Sequence, residues 1–171
     1  MLNLRSILVL FLLTTPAWAD DAAPAGTEAT TPPPVVEPSV YVKKVKGDFS
    51  ATYKKVFTAL ENNGYFVVFE PNIGKNLSNF AQRWGKNYNK NDLDAIRSLV
   101  FCNAWYANEV SNMDPEMLAL CPLHITLTHK KGVTSILFVR PSQVAVDSPA
   151  KKVVTELELD VIRAIEQGFI P

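Results

Sequence analysis

The chain has 171 residues, 47% of them hydrophobic and 20% charged, with a formal net charge of zero. That balance leaves no strong field to draw in nucleic acid or an anionic membrane. The lysine doublets at 43–44, 54–55, 130–131 and 151–152 are scattered, as solvated faces are, and make no binding stripe.

The N-terminus reads as an export signal over residues 1–19. Arg5 supplies the positive start, residues 7–13 (ILVLFLL) form a short uncharged apolar run, and Ala17-Trp18-Ala19 precedes the expected cleavage near Ala19. A bilayer-spanning helix needs roughly 20 predominantly apolar residues. The run is therefore too short to remain as a membrane anchor, and no cysteine follows it to carry a lipid. Cleavage removes Arg5 and no acid, so the mature chain is acidic by one charge. The expected location is periplasmic or secreted. Residues 20–39 have no helical or strand periodicity and contain Pro24, Pro32, Pro33, Pro34 and Pro38. Such a stretch cannot bury enough apolar surface to offset its ordering entropy and reads as a disordered tether.

Residues 40–171 form one domain of ordinary size. A first strand is predicted over 40–46, broken by Gly47-Asp48. A helix over 50–62 follows from Phe49, Tyr53, Val56, Phe57 and Leu60 at helical spacing, with Asp48 or Ser50 as cap and Gly64 as stop. Residues 65–70 (YFVVFE) are a short β-prone run ended by Pro71. A second helix is predicted over 73–84, then a polar loop over 86–92 and a buried strand over 95–102. Asn103 caps a helix over 104–111, and Asp114-Pro115-Glu116 restarts a helical turn. Residues 123–129 alternate, with Leu123, Ile125 and Leu127 on one face and His124, Thr126 and Thr128 on the other. Lys130-Lys131-Gly132 turns the chain into a strand over 133–140, and Ser148-Pro149 opens a final helix with Val153 or Val154, Leu157, Val161 and Ile165 facing the core. The order β-α-β-α-β-α-β-β-α predicts an α+β domain: a mixed sheet with helices packed mainly on one face.

Several of these motifs together resemble the family of bacterial domains of unknown function 302. They are Asp48-Phe49 with the helix to Asn63-Gly64, Val100-Phe101-Cys102-Asn103, Tyr106-Ala107, Asp114-Pro115-Glu116, Leu120-Cys121-Pro122-Leu123 and Phe138-Val139-Arg140-Pro141-Ser142. The likeness spans about 40–168. It implies a compact α+β fold that is often dimeric, with no established reaction or ligand. The insertion-like segment 83–94 departs from many members.

The chemistry concentrates at Cys102 and Cys121, with a helix and a turn between them. In an oxidising compartment a pair of cysteines most simply forms a disulfide, and closing a loop of this size contributes about 3 kcal/mol in the chain-entropy model. Two buried free thiols packed as small hydrophobes are a second reading. The functional reading takes the pair as a redox, thiol-exchange or sulfur-transfer centre. With Met113, Met117 and His124 it could also supply soft ligands for Cu(I) or another thiophilic metal. Asn103, Trp105, Tyr106 and His124 are the candidate pocket residues, and His129 is an ordinary strand-end histidine. There is no Cys-x-x-Cys, His-x-x-x-His, nucleophile elbow or Gly-rich phosphate loop. The sequence thus points to a non-catalytic periplasmic binding or interaction domain, with a homodimer, a small molecule or a periplasmic protein as partner and no cofactor expected. The thiol-based protein is the alternative.

Overall fold

A computed structural model describes residues 37–170. The expected signal and nearly all of the tether lie outside the described residues. Strand β1 (Val40–Lys46) leads into α1 (Phe49–Asn62), whose N-cap Asp48 accepts from the Ala51 N–H at 2.7 Å. Strand β2 (Phe66–Phe69) follows. The predicted helix over 73–84 is instead two short pieces, α2 (Ile73–Ser78) and α3 (Ala81–Trp84). The break falls at Ser78-Asn79, where Ser78 turns its hydroxyl back on the Lys75 carbonyl at 2.8 Å. Neither piece buries a residue that would hold one continuous helix against the core.

Strand β3 (Ala95–Cys102) runs into α4 (Ala104–Met113), capped by Asn103 through the N–H groups of Trp105 and Tyr106. Asp114 caps the 3₁₀ turn Pro115–Leu120, and its carboxylate also accepts from the Ser148 hydroxyl at 2.5 Å. The hairpin of β4 (Leu123–Lys130) and β5 (Val133–Val139) follows the predicted alternation, and α5 (Lys151–Gln167) closes the domain.

The α+β class holds, but the sheet is antiparallel throughout where a mixed sheet is predicted. Its five strands lie in the order β1-β5-β4-β3-β2, and every neighbouring pair is antiparallel. The reason lies in the connections. The helix α1 carries the chain from one sheet edge, β1, to the other, β2, so these two strands never pair. The later helical connections return the chain beside the strand it left, which reverses its direction.

One sheet face, carrying Leu99, Phe101, Ile125, Leu127, Ile136 and Phe138, is buried against Val56 and Leu60 of α1 and Val154, Leu157, Val161 and Ile165 of α5. Glu158 lies among these apolar groups, 2% exposed. It is held there by the Arg140 guanidinium at 2.6 Å and the Ser142 N–H at 3.0 Å, so α5 is pinned to the end of β5. The opposite sheet face presents Val42, Val139 and Phe66 to solvent.

Candidate functional site: the Cys102–Cys121 pair

The last residue of β3 and the residue before Pro122 meet at this site. The Cys102 and Cys121 sulfurs lie 3.2 Å apart and both cysteines are free. A disulfide bond is about 2.05 Å long, so the two thiols touch without being bonded. Their approach is set from both sides. Cys102 is fixed by its place opposite Phe66 in the β2–β3 ladder. Cys121 is brought back by α4 and the 3₁₀ turn, whose end is closed by the Cys121 N–H on the Leu118 carbonyl at 2.9 Å.

The pair borders an apolar cavity of about 30 Å³, walled by Phe101, Tyr106, Val110, Met117 and Leu123 and closed behind by Val154 and Leu157 of α5. That is room for about one water-sized group, far below the ~300–1,000 Å³ of small-molecule pockets. Cys102 is half-buried and Cys121 is exposed as a residue. Partial burial of the Cys121 sulfur, then the hydrogen bond and the charge of Cys102, push its thiol up to about 11. Cys121 therefore keeps its proton at neutral pH and can donate it to the Cys102 sulfur.

The other sequence candidates divide. Tyr106 lines the cavity, stacks on Tyr65 at 6.5 Å and donates its hydroxyl to Asp160 of α5. Burial and that bond raise its hydroxyl above the ordinary phenol range. Asn103 also borders the cavity, but its side chain is occupied: the oxygen caps α4 and the amide donates to the Gly64 carbonyl at 3.1 Å. Trp105 points away from the cavity wall, 59% exposed, with its ring edge against Tyr106.

Met117 shares the cavity with the cysteines, whereas Met113 is exposed. His124 borders a different hollow with Pro122, Val139 and Pro141. Of the soft-metal candidates, Cys102, Cys121 and Met117 border one cavity while Met113 and His124 do not line it, and among the described residues no group of three His, Cys, Asp or Glu is placed to hold a metal ion. His129 bonds Thr134 at 2.8 Å and packs against the Phe49 ring, a structural role. Sequence reasoning picks Val154 and Leu157 as core residues without linking them to the cysteines, and it misses Asp160. No local signal could join residues so distant in the chain.

Comparison with known proteins adds the following. The family model described as domain of unknown function DUF302 matches residues 41–168. A solved structure, an uncharacterised conserved DUF302 protein from Bacillus stearothermophilus, superposes with a TM-score of 0.64. It is 18% identical and the alignment covers 75% of this chain and 97% of that one. A likeness at that identity shows the fold alone. No curated protein matches the chain.

Proposed function

This chain belongs to the DUF302 family, and we propose that it is an exported binding or interaction domain whose working group is the Cys102–Cys121 dithiol. One observation carries this reading: two free thiols on different elements stand in contact at 3.2 Å, with one of them exposed. Closing the bond needs a shift of about 1 Å, and the small cavity beside the pair gives the side chains room for it.

The chemistry is thiol–disulfide exchange with an incoming disulfide. The Cys102 thiolate attacks one sulfur of that disulfide, and the first leaving thiolate departs. Cys121 gives up its proton and displaces the second thiol, so that the incoming disulfide is reduced to two thiols as Cys102–Cys121 is oxidised. An exposed sulfur favours a bond that opens again, since labile disulfides are the exposed or strained ones.

The test is a redox titration in glutathione buffers, with alkylation and intact-mass readout of the full chain. The expected result is reversible interconversion with a midpoint between about −120 and −270 mV. A midpoint below about −300 mV would make the pair an inert structural disulfide. Thiols that never oxidise would equally remove the reading.

A further inference from the structure

The segment 83–94, set apart in the sequence as insertion-like, forms one wall of a cleft of about 750 Å³. Its floor is the start of β3 and its other wall is α2. No residue of this cleft borders the thiol cavity. The volume falls in the ~300–1,000 Å³ range of small-molecule sites.

Both walls are built. Gly74 of α2 comes so close to β3 that a Cβ there would meet the Ile96 nitrogen at 3.2 Å. The Ser98 N–H donates to the Pro71 carbonyl at 3.1 Å, which ties the start of this wall to the strand edge. Across the cleft, Asn89 closes its loop on Leu93 with two 3.0 Å bonds, its amide to the Leu93 carbonyl and the Leu93 N–H to its oxygen. Asn89 and Asp92 take positive φ angles of 43° and 50°, which their short polar side chains tolerate.

The lining is cationic and unevenly satisfied. The lining holds Lys75, Lys90 and Arg97 with one acid, Asp94, whose carboxylate already accepts from the Lys131 N–H at 2.8 Å. The Arg97 guanidinium lies 4.1 Å from the Tyr53 ring centroid and makes a loose ion pair with Glu70 at 3.7 Å. Its Nε is buried with no hydrogen-bond partner. A guanidinium packed on an aromatic ring, with one donor unpaired and only a loose ion pair, suits a carboxylate partner. Trp84 also lines the cleft, 40% exposed and stacked on Phe80 at 5.1 Å. It offers a flat apolar platform in the same cleft as Asn87 and Asn91.

From this arrangement we infer that the cleft binds a small organic anion, a ring-bearing carboxylate, with its carboxylate on Arg97 and the lysines and its ring on Trp84. Calorimetric titration of the full chain tests it with glucuronate and benzoate, each against its neutral counterpart, glucose or benzamide. At least one acid should bind saturably, about tenfold tighter than its neutral counterpart. Preference for glucuronate identifies a sugar acid, and preference for benzoate an aromatic one. Arg97→Lys keeps the charge but loses the planar fork and should weaken acid binding about tenfold. Lys90→Gln changes an exposed loop residue and should weaken it about threefold, which keeps the test intact should Arg97→Lys lose its native circular dichroism. Equal binding of acid and neutral compound overturns the inference. So does the absence of saturable heat from both acids, or acid binding that neither folded variant alters.

Discussion

Cys121 and Cys102 differ in what surrounds each sulfur, and the difference assigns their roles. Partial burial and its neighbour push the Cys121 thiol up to about 11, which suits Cys121 to the resolving step rather than the first attack. In Cys121→Ser, exposure to oxidised glutathione at pH 7 should leave one glutathione trapped on Cys102, because the resolving thiol is gone. Cys102→Ser should gain the adduct several-fold more slowly. Equal rates by intact-mass spectrometry would reverse the assignment. At this scale the sequence is informative about residue type and silent about distance. Asn103 shows the difference well. Its place before an apolar helix marks it as a cap from sequence alone, and the cap is what the structure shows. Its amide bond to Gly64, which ties α4 to the turn before β2, comes from a residue far back in the chain and has no local signature.

Among the elements, β1 is attached to α5 partly through charge. It lies at the sheet edge, paired only with β5. Glu166 of α5 reaches across to it, accepting from Lys43 Nζ at 2.5 Å and from the Tyr41 hydroxyl. The Lys43 and Tyr41 hydrogen bonds hold the Glu166 carboxyl below the usual carboxylate range. A carboxyl whose folded value is depressed stabilises the fold fully above its unfolded value, about 4.3, and loses that contribution as pH falls through the lower folded value. Glu166→Gln should therefore be less stable than the parent above about pH 5, by less than about 1 kcal/mol because the pair is half exposed. The gap should close as pH falls through that lowered folded value, below which both side chains are uncharged. Urea denaturation at several pH values checks this, and a gap that persists in acid would show that packing, not charge, holds β1. Element types were legible because their signals are local: Asp48, Asn103 and Asp114 as caps, alternation in β4 and β5, and helical spacing in α1 and α5. The split of α2 from α3 was less so. The apolar spacing over 73–84 suits a helix, but no core surface is there to receive it.

For the whole molecule, the Cys102–Cys121 contact closes a loop across the sheet end. Oxidation should raise stability by about 3 kcal/mol if the bond forms without strain, read as a shift of the urea midpoint between oxidised and reduced protein. Identical midpoints would argue that the bond does not form within this fold. The molecule also explains why the mixed-sheet expectation failed. Pairing direction depends on where each connection returns the chain, and only the completed sheet, with α1 spanning from edge to edge, determines that. The same division runs through the two sites. By itself the sequence determined the α+β class, the order of elements, the core faces and the family, because periodicity, caps and short motifs are encoded within a few residues of where they act. Tertiary structure alone decided that the two cysteines touch, that His124 stands apart from them, and that segment 83–94 encloses a cationic cleft with Arg97. Those arrangements depend on how separate elements come together: the end of β3 with the 3₁₀ turn after α4 for the cysteines, and α2, β3 and segment 83–94 for the cleft.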